Sequence, residues 1–166
     1  KYIGGTYGGN KHPTEFMCLI LKLLQIQPDE EIIIEYLNNG DYKYLTALAA
    51  FYIRLTGRHV DIYNKLEPLY DDYRKLRVRD ANGYSIIHMD EYIEDLLNKE
   101  DMFEVTLPAM PKRRVLEINN GLQSRVSKLE FDLNDLPEDD VNLELNEESD
   151  EDKDRWKKHP DIEREY

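Results

Sequence analysis

The stretch of this chain that looks most like a chemical site is "YIGGTYGGNKHPTEF", residues 2–16, with four glycines in six positions. A phosphate cradle of the P-loop kind needs a glycine, four residues, and then Gly-Lys-Ser/Thr. Its backbone N–H groups wrap the phosphates while the lysine and hydroxyl complete the site. Counting from Gly4 brings the second glycine to Gly9, as required, but Asn10 stands where the lysine belongs. Lys11 comes one place late, and His12 and Pro13 follow where a hydroxyl is needed. The dinucleotide fingerprint fails too, because Gly5, Gly8 and Gly9 do not spell G-x-G-x-x-G and no apolar strand precedes them. The expectation is a flexible or tightly turned lead-in rather than a nucleotide site.

Other chemistry is no better supplied. His12, His59, His88 and His159 lie far apart, and none stands in H-E-x-x-H or beside a cysteine pair. In "HVD", His59 and Asp61 offer two ligands without a third, and His59 reads as a polar residue near a helix start. The adjacent acids Asp71-Asp72 and Asp90-Glu91 would point about 100° apart on a helix, so neither pair shares one site. There is no G-x-S-x-G elbow. The single cysteine, Cys18, excludes an internal disulfide, and its apolar neighbours predict a small core residue. No catalytic, cofactor-binding or metal-binding residue emerges, and the chain is expected not to be an enzyme.

Binding chemistry is better represented. Basic residues cluster as "RKLRVR" (Arg74, Lys75, Arg77, Arg79) and "KRR" (Lys112, Arg113, Arg114). A solvated face is the plainer reading; direct contact with RNA phosphates is the alternative. The chain holds 12 Tyr against 4 Phe, and tyrosine supplies amphipathic area of the kind enriched at protein interfaces. Tyr63, Tyr70 and Tyr73, with Leu66 and Leu69, form a stripe at helical spacing and are candidate protein-binding residues. Composition therefore favours a binding module.

The elements that must position these residues are mostly helical. Pro13 and Thr14 open "PTEFMCLILKLLQIQ", in which Phe16, Leu19, Ile20, Leu23, Leu24 and Ile26 cover a wide face before Pro28 stops it. Asp29 is placed to cap "EEIIIEYLNN", which Asn39-Gly40 ends, and Asp41 to cap "YKYLTALAAFYIRLT", with Gly57 as its C′ residue. That third helix is apolar nearly all round and should be buried at the centre. Pro68 should divide "HVDIYNKLEPLYDDYRKL". In "LRVRDANGYSIIHM", Asn82-Gly83 predicts a type I′ hairpin, pairing Leu76 with Met89, Val78 with Ile87 and Arg77 with His88. Asp90 should cap "EYIEDLLNKE". After Pro108 and Pro111, Leu122, Val126, Leu129, Leu133 and Leu136 predict one stripe on a last helix. Leu129 and Leu133 are candidate partner contacts.

Charge divides the chain. Residues 130–166 hold 16 acids and 5 bases, whereas residues 1–129 hold 19 and 17. The body is near neutral and long enough for a sizeable core, while "PEDD" and "NEESDEDKD" predict a solvated tail. Trp156, the only tryptophan, lies beyond the acid run, where it reads as an anchor for a partner. No apolar run reaches the roughly 18 residues of a membrane span, and no membrane partner is expected. The chain starts at Lys1 rather than Met, so preceding residues are expected. The predicted class is mainly α: a single multi-helix domain with a small inserted β-hairpin, followed by an extended acidic tail.

Five segments together resemble the pre-mRNA-splicing factor 38 family: "YIGGTYGGNKHPTEFMCLILKLLQIQP", "DYKYLTALAAFYIRLTG", "LEPLYDDYRKLR", "NGYSIIHMDEYIEDLL" and "LPAMPKRRVLE". The resemblance covers roughly residues 2–130, and it makes the glycine stretch a hallmark of a family not known for binding nucleotides. It implies a helical scaffold of the spliceosome, nuclear, working with the tri-snRNP at activation. The implied partners are helical segments of other splicing proteins and a small zinc-finger splicing factor, with spliceosomal RNA nearby. It carries over no catalytic residue. Family members have further helices ahead of the glycine segment, so residues 1–129 are expected to lack them, and residues 130–166 to be largely disordered or partner-bound. Many animal members end in an Arg/Ser-rich tail, where this chain ends acidic.

Overall fold

The computed structural model describes residues 1–119 and 121–125. Among them are six α-helices: α1 (Glu15–Ile26), α2 (Glu30–Leu37), α3 (Lys43–Thr56), α4 (His59–Leu66), α5 (Met89–Asn98) and α6 (Arg113–Ile118). Three antiparallel strand pairs accompany them: β1 (Thr6–Tyr7) with β2 (His12–Pro13), β3 (Lys75–Asp80) with β4 (Gly83–His88), and β5 (Asp101–Met102) with β6 (Val105–Thr106). The mainly helical class and the inserted hairpin are as expected. Lys1–Gln123 form one compact unit. The segment from residue 126 on, with Leu129, Leu133 and Trp156, lies outside the described residues.

Helix α3 is the centre. Every residue from Thr46 to Arg54 is buried, because Leu48, Phe51 and Ile53 are apolar and Ala47, Ala49 and Ala50 let neighbours come close. Phe16 of α1 meets Phe51 edge-on at 5.9 Å. Ile33 and Leu37 of α2, Ile62 and Leu66 of α4, and Met89, Ile93 and Leu96 of α5 complete the core. Two polar groups are tied in from the helices. The Tyr92 hydroxyl donates to Ala47 O at 3.0 Å, and the buried Arg54 Nε donates to Leu96 O at 2.7 Å. That carbonyl belongs to the last turn of α5, whose orphan acceptors favour a cation.

The glycine stretch is a packing device. Ile3 is fully buried and adds to the edge of β3: its N–H donates to Arg77 O at 2.8 Å and its carbonyl accepts from Arg79 N–H at 2.7 Å. Thr14 caps α1 by accepting from Met17 N–H, and its hydroxyl donates to Gly4 O at 2.6 Å. A β-carbon on Gly4 would sit 2.3 Å from Arg79 O, and one on Gly5 2.4 Å from Phe103 O. These residues are glycines because backbone passes backbone there.

Several expectations are corrected. The ribbon turns at Ala81-Asn82, not Asn82-Gly83, and pairs Leu76 with Ile87, Val78 with Ser85 and Arg77 with Ile86. Neither Ala81 nor Asn82 has positive φ, which excludes type I′; Gly83 follows the turn at φ 145°. Two consecutive left-handed residues occur instead at Phe103 (54°) and Glu104 (64°), between β5 and β6. Gly57 ends α3 with φ −75°, and space rather than handedness demands it, since a β-carbon would lie 2.7 Å from Ile53 O. Tyr42 rather than Asp41 is the N-cap of α3, where Asn39 Oδ1 accepts from both their N–H groups. His88 rather than Asp90 caps α5, and Glu91 accepts from its N–H at 2.7 Å. Cys18 is exposed, because α1 carries more apolar surface than the core can cover. Helix α6 stops at Ile118, so Leu122 packs from beyond it rather than from within it; Val126, Leu129, Leu133 and Leu136 of the expected stripe lie outside the described residues.

Gly5→Ala should destabilise the domain by roughly 1–3 kcal/mol, an ordinary overpacking cost, because the atom in the way is backbone. Gly9, with nothing within 4 Å of its β-carbon position, is the control and should change little. Urea unfolding followed by helical circular dichroism checks both, as a fall in midpoint for Gly5→Ala alone.

Candidate interaction surfaces

Two surfaces present more apolar or cationic character than a folded domain needs. The first is the outer face of the β3–β4 ribbon. Alternation buries Leu76 and Val78 and turns Lys75, Arg77 and Arg79 outward, directly opposite His88, Ile86 and Tyr84. Arg79 lies 4.3 Å from the Tyr84 ring centroid and 5.0 Å from that of Tyr7. Arg77 lies 5.6 Å from the Tyr84 centroid, and Tyr2 meets Tyr84 edge-on at 5.7 Å. Tyr84 and Ile86 are nevertheless 56% and 68% exposed.

The second surface runs from α1 to the start of α3. Only Phe16 and Ile20 of α1 are buried, whereas Leu19, Leu21 and Ile26 are each more than half exposed. Tyr42, at the α3 N-cap, is 68% exposed. Between them opens a groove of about 550 Å³ lined by Leu19, Tyr42, Tyr44, Leu45 and Leu48, with Lys1, Lys43, Asp41 and Arg74 at its polar positions. Its chemistry suits an amphipathic protein segment: aliphatic floor, mixed charge around it.

The candidate residues read from the sequence divide by what they already hold. Arg74 is an internal strut: it grips the Asp72 carboxylate, donates to Gly40 O at 2.8 Å and to Asn39 O at 3.3 Å, and reaches Thr46 Oγ1 at 3.2 Å. Burial pushes the Asp72 carboxyl up, but the hydrogen bonds and charge of Arg74 outweigh that and leave it below the ordinary aspartate value. Arg113 is likewise engaged, by Glu67 at 2.5 Å, by Glu117 and by Gln123 O. Lys75, Lys112 and Arg114 are exposed. Tyr63 is buried, and its hydroxyl donates to Pro111 O at 3.2 Å; burial, with Glu67 nearby, pushes that hydroxyl up. Tyr70 is half-buried, and Tyr73 is 67% exposed. Leu19, Leu21, Tyr42, Tyr84 and Ile86 were not among the sequence candidates; the excess of apolar positions on α1 was the signal for the first two. No cluster of metal-ligating side chains occurs among the described residues, and no helix among them is long and apolar enough to cross a membrane.

A model of the PRP38 family matches residues 1–120. Pre-mRNA-splicing factor 38A of Xenopus tropicalis is 52% identical over 137 residues, spanning 82% of this chain and 44% of the relative. Pre-mRNA-splicing factor 38 of Drosophila melanogaster is 49% identical over 142 residues, spanning 84% of this chain and 43% of the relative. This chain thus spans less than half the length of those relatives. Among solved structures it is similar to a chain of the Snu23–Prp38–MFAP1(217–258) complex of Chaetomium thermophilum, with TM-score 0.74 and 46% identity. That match covers 77% of this chain and 67% of the other.

The Arg74 strut has a measurable consequence. In Arg74→Ala the bonds that lower the Asp72 carboxyl vanish while its burial remains, so its pKa should rise, above the unfolded value if it stays buried. In the native protein the folded-state pKa is depressed. Its stabilising contribution is therefore present above the unfolded aspartate value and is lost as pH falls through the lower, folded one. Carboxyl NMR titration of Asp72, with thermal melts across the acid range, should show the upward shift and the loss of that acid-side slope in the variant.

Proposed function

This chain belongs to the PRP38 family, and on that premise we propose that it is a non-enzymatic protein-interaction scaffold of the spliceosome, serving pre-mRNA splicing in the nucleus. The observation that carries the reading is the solved relative, which shares this fold at 46% identity and is held in a complex with Snu23 and a segment of MFAP1. The open groove between α1 and α3 supports it. Exposed Leu19, Leu21 and Tyr42 contribute nothing to the core, and an apolar patch of this kind marks an interaction site.

The finer parts of the reading follow from the family. The protein acts with the tri-snRNP at the activation stage, and its partners include helical segments and a zinc-finger splicing factor. Tyr73, exposed beside the ribbon, and Tyr70 extend the set of contacts. Trp156, in "DRWKKHPDIEREY", is the natural anchor of a linear binding segment at residues 137–166, since a segment so charged cannot bury a tryptophan by itself.

Purification of splicing complexes through a tag on this protein should recover homologues of Snu23 and MFAP1; recovery of no splicing protein would sink the proposal. Leu19→Glu and Tyr42→Ala should weaken capture of at least one partner by about tenfold or more, the scale of an interface anchor, while leaving the melting temperature near that of the parent. Calorimetric titration with the purified partners reads the difference.

A further inference from the structure

We propose that the outer face of the β3–β4 ribbon is a stacking platform for single-stranded RNA. The inference concerns a different face from the α1–α3 groove and does not rest on the scaffold reading. Six residues make the face: Lys75, Arg77 and Arg79 on one strand, and His88, Ile86 and Tyr84 opposite them. None is a carboxylate. Side chains on one face of a strand recur about every 6.8 Å, so the three cations form a row parallel to a row of two apolar groups and an imidazole. A single strand of nucleic acid offers the complement, phosphates along one edge and planar bases along the other.

The ring geometry is built before any ligand arrives. Arg79 sits between Tyr7 and Tyr84, and Tyr2 abuts the edge of Tyr84. Tyr84 is thereby held in place yet remains more than half exposed, next to the still more exposed Ile86. A base laid on Tyr84 and Ile86 would place its phosphates beside Arg77 and Lys75. An acidic peptide could satisfy the cations but would offer nothing planar to the ring. The acids nearby lie around the face rather than on it. Glu104 is engaged by the Thr6 hydroxyl at 2.5 Å and by Lys11 at 3.7 Å, and Glu91 by His88. Glu15 acts on Tyr2, and Asp80 belongs to the other register of β3, at the turn. Arg74 and Arg113, held by carboxylates, take no part.

The test uses the full chain, a short labelled oligouridylate, and fluorescence anisotropy at about 0.1 M salt, where screening confines the repulsion of the acidic residues to about 10 Å. Tyr84→Ala should weaken binding at least about fivefold, and Tyr84→Phe should leave it unchanged. Arg77→Gln should reduce the log–log salt slope by about 0.7. Lys22→Gln, an exposed cation on α1 and off the ribbon, should alter neither. Ile86→Ser repeats the stacking test should Tyr84→Ala lower the melting temperature. Absence of saturable binding at roughly 100 µM protein, the weak end of non-specific association, would overturn the proposal. So would preference for duplex RNA, or displacement by polyglutamate with no dependence on Tyr84; the latter would make the face a site for acidic protein.

Discussion

The burial of α3 from Thr46 to Arg54 is the constraint on which the rest of the domain depends. A helix that is apolar on every side cannot rest against one neighbour; it must be enclosed. Each large side chain so enclosed contributes about 1.5–3 kcal/mol, and that sum fixes where α1, α2, α4 and α5 must lie. The polar exceptions confirm the logic. Arg54, 3% exposed, would be costly without an acceptor and finds one at the C-terminal end of α5. Tyr92 is buried against α3 with its hydroxyl on a helix carbonyl, so its attachment adds a hydrogen bond to its packing. The α3 alanines matter as much as its large residues, because they let four helices approach one axis.

What surrounds α3 is held at two places where backbone crosses backbone. Gly4 passes the carbonyl of Arg79 and Gly5 that of Phe103, so the start of the chain is pinned both to the ribbon and to the β5–β6 turn. Phe103 itself has left-handed φ, a conformation that disfavours a large side chain by about 1–2 kcal/mol. Its ring stacks on Phe51 and Tyr92 at 5.9 and 6.2 Å, and that burial offsets the cost. A glycine pattern suggestive of a phosphate cradle is thus explained by the absence of β-carbons at two crossings. The N–H groups flanking it are committed within the fold: that of Ile3 reaches Arg77 O, and that of Thr14 reaches Gly5 O.

Much of this was legible in the sequence, and the failures have physical causes. Thr14, Pro28 and Pro68 mark boundaries because each acts through local backbone chemistry, and α3 was legible because all-round apolarity has one meaning in a domain without a membrane span. The ribbon was found, but its register was two residues off. Asn-Gly favours type I′, but the observed pairing closes over Ala81-Asn82 and leaves Gly83 just after the turn at φ 145°. A slip of two preserves the faces, so Leu76, Val78 and Ile87 kept their common side. Cys18 failed because local apolarity cannot say how much of a helix the neighbours will cover. Leu122 was read onto a helix from its heptad spacing, but Asn119 caps α6 ahead of it; the rest of that stripe, from Val126 to Leu136, lies outside the described residues. The groove was invisible, being the space left by an excess of apolar residues on α1.

The arginines show how one residue type serves opposite ends within a few positions. Arg74 and Arg77 are three residues apart in a run that reads as one basic cluster. Asp72 precedes the first, and a turn closes over Thr46 and the carbonyls of Asn39 and Gly40, so its planar fork is filled by acceptors and its charge is neutralised locally. Arg77 lies on a strand whose pleat turns it outward, away from any carboxylate, against a tyrosine ring. Exposed charge on the ribbon is therefore set by strand parity and by one neighbouring aspartate, not by the count of basic residues in the run. The same separation applies to Arg113, taken by Glu67 and Glu117, and its neighbour Arg114, left to solvent. A surface assembled in this way carries specificity in its geometry even where the net charge of the body is close to zero, because a partner meets particular cations beside particular rings and not the average field of the domain.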